Sequence, residues 1–158
     1  YIRQSHPEMT VYGACYPECH PQSRDLDEDI SWLKVKVDSG ASHLISQLFY
    51  DNADYLRFLD KARAAGIDVP IEAGIMPGTN AASVRRMTGM CSSKVPERLA
   101  TILDRWGDDP NTLKEAGIIY ASEQIADLVA RGVDGIHLYT MNHPGVTRRT
   151  WQNVQGLF

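Results

Sequence analysis

Short, uncharged, β-prone runs alternate with segments of helical period along the whole chain, and this alternation restricts the fold more than any other feature. The first run, Thr10 to Tyr16, is closed by Pro17 and suits a strand buried on both faces. After it, Leu26, Ile30, Leu33 and Val37 recur at helical spacing, Asp25 and Asp27 are candidate N-caps, and Gly40 supplies a stop. A second run, His43 to Tyr50, ends at Asp51-Asn52. Its helix carries Tyr55, Phe58, Leu59 and Ala62 on one face and stops at Gly66. The third run, Val69 to Ile75, has Pro70 near its start, where a missing donor is tolerable. Pro77-Gly78 then turns the chain into a short helix containing Val84 and Met87.

The next stretch is longer. Val95, Leu99, Ile102, Leu103 and Trp106 predict an extra helix, and Asp109-Pro110 restarts the chain with an N-cap and a proline at N1. The following helix runs to about Arg131, with Ile118, Ile125, Leu128 and Val129 facing the core. Gly135 to Thr140 is the fourth strand, and a helix from Thr147 to Val154 finishes the chain. Four strands each followed by a helix demand a parallel sheet with helices outside it. The spacing from His43 to Val69 is close to the roughly 30 residues per unit of a 250-residue barrel. A doubly wound sheet is the rival, but no glycine-rich dinucleotide fingerprint follows any strand. The expected fold class is α/β: a TIM-type (β/α)8 barrel, of which residues 1–158 supply four or so β-α units within a single domain.

Composition narrows the function. The 158 residues are 43% hydrophobic and 23% charged, as in an ordinary globular protein, and no apolar stretch approaches the roughly 20 residues needed to span a bilayer. The net charge is -4 with scattered positive residues, which disfavours nucleic acid as a partner. Cys15, Cys19 and Cys91 form an odd, sparse set that points to a reducing, cytoplasmic setting and composes no metal site. The chain opens on Tyr1 without a signal pattern, as though inside a longer protein.

In a barrel, function lies where strands hand over to helices. Those junctions read YPECHP from Tyr16, QLFYD from Gln47, AGIMPG from Ala73 and HLYTMN from His137, with DISWLKVKVDSG on the first helix. Together, in this order and at these spacings, they resemble the methylenetetrahydrofolate reductase family, with its Y-P-x-x-H-P, Q-x-F-[FY]-[DE], P-G-I-x-P and H-F-Y-T-x-N segments. The resemblance runs from about Thr10 to the C-terminus. It implies bound FAD, electrons from NADH or NADPH, and reduction of 5,10-methylenetetrahydrofolate to 5-methyltetrahydrofolate.

The same resemblance places Tyr16, His20, Ser23, Asp29 and Lys36 at positions that contact FAD. Their chemistry fits: Tyr16 offers an aromatic face and a hydroxyl, His20 and Lys36 can bond ribose or phosphate oxygens, and Asp29 can accept from a ribose hydroxyl. Asp29 and Lys36 lie on nearly one side of their helix, two turns apart. Without the motifs, Tyr16 reads first as a packing residue, His20 as a loop histidine, and Asp29 and Lys36 as ordinary solvated charges. Gln47 is an amide inside an apolar strand, so it is either satisfied by backbone or aimed at a polar ligand, which the resemblance makes the pterin of the folate.

The sequence departs from better-known bacterial members at four places. Ser83 replaces a substrate-contacting glutamine, His143 replaces an arginine, and Trp32 and Val35 replace polar residues on the cofactor side. Ser83 and His143 remain substrate-binding candidates, with an imidazole the weaker anchor. Glu18 reads as a loop carboxylate without a partner, and Cys15 as a residue packed against a helix. The family's catalytic glutamate and R-G-D aspartate have no counterpart here and are expected upstream. The alternative reading is a non-catalytic folate- or flavin-binding remnant or interaction subunit; a homo-oligomer is compatible with both.

Overall fold

The computed structural model describes all 158 residues, Tyr1–Phe158. In chain order the elements are α1 (Ile2–Ser5), β1 (Tyr12–Cys15), α2 (Leu26–Asp38), β2 (His43–Ser46), α3 (Asn52–Ala64), β3 (Ile71–Ile75), α4 (Ala81–Cys91), α5 (Glu97–Trp106), α6 (Pro110–Ala130), β4 (Gly135–Leu138) and α7 (Pro144–Val154), with a closing 3-10 turn at Gln155–Leu157. The four strands form one parallel sheet in the order β1-β2-β3-β4. The chain is therefore an α/β protein with strictly sequential strand order.

The helices start and stop where local chemistry dictates. Asp25 caps α2 by accepting from the Glu28 N–H at 2.9 Å, while the Glu28 carboxylate reaches back to the Arg24 N–H at 2.7 Å. Asp27, the other candidate cap, instead pairs with Lys61 on α3 at 2.5 Å. Asp51, expected only to end the second strand, caps α3 through the Ala53 N–H; Asp109 caps α6 ahead of Pro110, and this cap the sequence predicts. All four strands and the last helix have boundaries that differ from expectation. The first strand is Tyr12–Cys15 rather than Thr10 to Tyr16, because Tyr16-Pro17 leaves the ladder. The second ends at Ser46; the Gln47 N–H still reaches the Cys15 carbonyl at 2.7 Å, and Leu48, Phe49 and Tyr50 are buried past the strand end. The third begins at Ile71, since Pro70 contributes only its carbonyl, to the Leu44 N–H at 2.9 Å. The last strand ends at Leu138, and α7 starts at Pro144, three residues before the expected Thr147.

Strand side chains alternate between two unlike faces. Cys15, Leu44, Ile71, Ala73 and Ile75 face the helices and join Ile30, Leu33, Tyr55, Phe58, Ala62, Ile125 and Leu128 in the larger core. Phe49 stacks on Tyr55 at 4.9 Å, and the Tyr55 hydroxyl donates to the Ile71 carbonyl at 2.8 Å. Each such fully buried aromatic or aliphatic side chain contributes roughly 1.5–3 kcal/mol. A smaller core under α4, α5 and α6 holds Leu48, Tyr50, Met76, Val84, Leu99, Leu103, Leu113 and Tyr120. The opposite face carries Tyr12, stacked on His43 at 4.8 Å, and Glu72, whose carboxylate lies 3.5 Å from His137. Tyr12 is 52% exposed there. A parallel sheet normally has both faces covered; this one has helices on one face and polar side chains on the other, unlike a doubly wound sheet.

Candidate active site at the strand ends

All five residues expected at the cofactor line a single cleft between the end of β1 and α2. Its volume is about 380 Å³, and Tyr16, His20, Ser23, Asp29 and Lys36 share its wall with Cys15, Gln22, Trp32 and Leu33. Trp32 is thus part of the wall, whereas Val35 lies outside it and is exposed.

Asp29 organises the loop. Its carboxylate accepts from the His20 N–H at 3.0 Å and from the Ser23 hydroxyl at 3.1 Å. It is consequently half-buried and engaged, not the free solvated charge that an isolated helix position suggests. The His20 ring packs edge-on against Tyr16 at 4.6 Å, with the planes at 88°. Its Nδ1 accepts from the Gln22 N–H at 3.1 Å, so the neutral ring carries its proton on Nε2, which remains a donor. Cys19 turns the chain at φ 89, the left-handed region, which non-glycine residues occupy at a cost. Burial pushes the Cys15 thiol up to about 12, against the opposing pull of Lys36. It is packed, as expected, against the helix side of the sheet.

Lys36 departs from the simplest expectation. Its ammonium donates to the Ala14 carbonyl at 2.5 Å. The carbonyls of Val11 and Cys15 point to β2, where they accept from His43 and Gln47. Ala14, one residue out of phase with them, presents its carbonyl on the side of β1 that has no neighbouring strand. Lys36 can lie there because Gly13 has no side chain: a Cβ on Gly13 would stand 2.9 Å from Lys36 Cδ.

A second cleft, of about 170 Å³, brings together Ser83 and His143, which are far apart in sequence. Met76, Thr79, Asn80, Tyr139 and Thr140 complete most of it. Asn80 caps α4 through the Ser83 N–H at 2.8 Å, which fixes Ser83 in the first turn. Met141 and Asn142 both take left-handed conformations, φ 48 and 63, in the tight turn that delivers His143. His143 precedes Pro144, the first residue of α7, and is exposed.

Gln47 belongs to neither cleft and is not inside a strand. It sits one residue past β2, half-buried, and its Oε1 accepts from the Leu48 N–H at 2.9 Å. Its amide oxygen is therefore committed to backbone, leaving the Nε2 donors for a ligand. Phe49 and Tyr50 are core residues. Glu18, read as lacking a partner, has one: its Oε2 accepts from the Lys94 N–H at 2.6 Å. That partner lies in the α4–α5 connection, and no local pattern in the sequence announces it. No group of three or more His, Cys, Asp or Glu side chains is arranged to hold a metal ion.

The chain is a strictly parallel β/α protein with polar clefts at the carboxyl ends of its strands, where proteins of this class place their ligand sites. Comparison with known proteins gives the family. The family model described as methylenetetrahydrofolate reductase matches residues 1–155. Methylenetetrahydrofolate reductase (NADH) 1 of Arabidopsis thaliana is 38% identical over 143 residues, covering 85% of this chain and 24% of its own length. The 5,10-methylenetetrahydrofolate reductase of Escherichia coli K12 is 39% identical over 135 residues, covering 85% and 46%. The chain belongs to the methylenetetrahydrofolate reductase family, and it spans 24% and 46% of the length of these two relatives. In three dimensions, 99% of it superimposes, with a TM-score of 0.67 and 17% identity, on 56% of a Clostridium thermocellum protein described as binding two copies of 5-methyl-5,6,7,8-tetrahydrofolic acid. This likeness shows the shared fold.

Proposed function

We propose that these residues are the C-terminal β-α units of a (β/α)8 barrel that reduces 5,10-methylenetetrahydrofolate to 5-methyltetrahydrofolate, with FAD as cofactor and NADH or NADPH as electron donor. The observation that carries the reading is the first cleft, which gathers Tyr16, His20, Ser23, Asp29 and Lys36 on one wall. The bare sheet face and the two unpaired sheet edges support a barrel whose other strands close over them.

The donor set fits a dinucleotide. The His20 Nε2–H and the Lys36 ammonium suit phosphate or ribose oxygens, and the Tyr16 ring offers an apolar surface to a heterocycle. The cleft is at the small end of the ~300–1,000 Å³ range of ligand sites, so it takes one portion of FAD, and the remainder lies beyond these walls. Bound there, FAD would supply the hydride-transfer chemistry. The chain's own part is to hold it: Asp29 fixes the loop that presents His20, and Lys36 contributes the positive charge. Ser83 and His143, with the free Nε2 of Gln47, are the proposed folate contacts, and no residue of either cleft is assigned as the catalytic acid.

Titration of the chain into FAD, followed by fluorescence quenching, tests this. Saturable quenching that Tyr16→Ala and Lys36→Ala both weaken is expected. A folded chain that leaves FAD fluorescence unchanged would favour a family remnant without cofactor.

A further inference from the structure

The two halves of the β1–α2 loop are held by different means. Residues 20 to 23 are clasped to α2 by Asp29, through the His20 N–H and the Ser23 hydroxyl. Residues 16 to 19 have no such clasp. The Cys19 thiol bonds only within the loop, to the carbonyls of His20 and Ser23. The one side-chain hydrogen bond tying this half to a distant part of the chain is that from the Lys94 N–H to Glu18. Glu18 stands between Tyr16 and His20, the edge-on aromatic pair of the cleft wall, yet it does not line the cleft.

The far end of this tether is itself fixed. The Ser93 hydroxyl donates to the Leu48 carbonyl at 2.8 Å, and Lys94 Nζ lies 3.4 Å from the buried Asp54 carboxylate, which also pairs with Arg57. The Glu18 carboxylate has one donor: Oε2 takes the Lys94 N–H, and Oε1 is buried without a partner. Leaving a buried carboxylate oxygen unpaired is costly, a local penalty of the kind that functional positions carry.

From this arrangement we propose that Glu18 is a positioning residue for the cofactor cleft. It pins the Tyr16–His20 turn to the α4–α5 connection, so that cofactor affinity depends on residues that touch no cofactor. The proposal rests on the flavin reading for its ligand, but the loop restraint is measurable without one.

The test compares the parent chain with Glu18→Ala, Glu18→Gln and Ser93→Ala. Glutamine keeps an acceptor for the Lys94 N–H; alanine removes it; Ser93→Ala loosens the tether at its far end, outside both clefts. Hydrogen exchange in peptides spanning residues 14–22 is expected to quicken in Glu18→Ala and Ser93→Ala and to stay at the parent rate in Glu18→Gln. FAD affinity is expected to fall about tenfold in Glu18→Ala, the scale of one hydrogen bond to a charged group, to fall less in Ser93→Ala, and to be retained in Glu18→Gln. Unchanged exchange in Glu18→Ala, or equal loss in Glu18→Ala and Glu18→Gln, overturns the proposal. If the parent does not quench FAD, the flavin reading fails while the exchange rates still decide whether Glu18 restrains the loop. Should Glu18→Ala not fold, Ser93→Ala and Glu18→Gln carry the same comparison.

Discussion

The hydroxyl of Tyr139, just past β4, donates to the carbonyl of Ser46, at the end of β2, at 3.0 Å. The two strands are not neighbours; β3 lies between them. The bond is possible because the residue of β3 beneath it is Gly74, whose N–H in turn donates to the Ser46 hydroxyl at 2.8 Å. A Cβ on Gly74 would fall 2.2 Å from the Ser46 carbonyl oxygen and 2.7 Å from the Tyr139 ring.

Gly74→Ala should therefore be among the most damaging single changes in the sheet. The nearest obstacle is backbone, which cannot swing aside, and a loss of about 3 kcal/mol or more is expected. Tyr139→Phe, which removes only the hydroxyl, should cost about 1 kcal/mol. Urea unfolding of the two variants checks the order; equal losses would show that the hydroxyl, not the close approach, dominates.

Gly13 is the contrasting case. A Cβ there meets Lys36 Cδ at 2.9 Å and Leu44 Cδ2 at 3.1 Å, both on side chains that can shift. Gly13→Ala is expected to cost only about 1 kcal/mol but to displace Lys36, so FAD affinity should fall as it does in Lys36→Ala. Parent-like FAD binding by Gly13→Ala, alongside a loss in Lys36→Ala, would break the link between the two residues.

Burial raises the pKa of Glu18 above the ordinary carboxylate value, with Asp54 adding to the shift and the Lys94 N–H opposing it. A carboxyl with a raised folded pKa binds more protons in the native state. Its charge then lowers stability as pH rises through the folded value, and this penalty is absent below the unfolded value. Glu18→Gln should accordingly melt higher than the parent at pH 8, with the gap closing near pH 4. A gap of the same size at both pH values would place its origin elsewhere.

The three thiols should differ in access. Cys15 and Cys91 are buried and Cys19 is half-buried, and desolvation raises the pKa of all three. Iodoacetamide at pH 7.5 is expected to modify Cys19 alone and slowly in the native chain, and all three after denaturation. Rapid native labelling of Cys15 would mean that the β1–α2 packing opens readily.

Periodicity and caps made most of the fold legible in advance. The four strand–helix pairs, the Asp109-Pro110 helix start and the helix-facing Cys15 all rest on interactions within a few residues. Strand ends were less legible, because a ladder stops where its neighbour turns away, as β2 does once Tyr16-Pro17 departs. The first cleft was readable as a set of residues, since the family resemblance names them together, but not in its internal bonding. Lys36 bonds a carbonyl whose exposure depends on an unpaired edge, Gln47 spends its oxygen on the adjacent N–H, and Glu18 finds a partner 76 residues away. None of these follows from spacing. Short strands can bring distant loops together in ways that only the assembled sheet reveals.

The bond between Lys36 and the Ala14 carbonyl makes two events thermodynamically reciprocal. While it holds, one of the three ammonium donors is spent on a strand edge; a ligand phosphate that draws the ammonium away from that edge leaves the carbonyl bare. A further strand docking on β1 would satisfy that carbonyl with its own N–H and release the ammonium. Edge pairing and anion capture should then each strengthen the other by the same factor, so that completing the sheet arms the cleft, and filling the cleft favours completing the sheet.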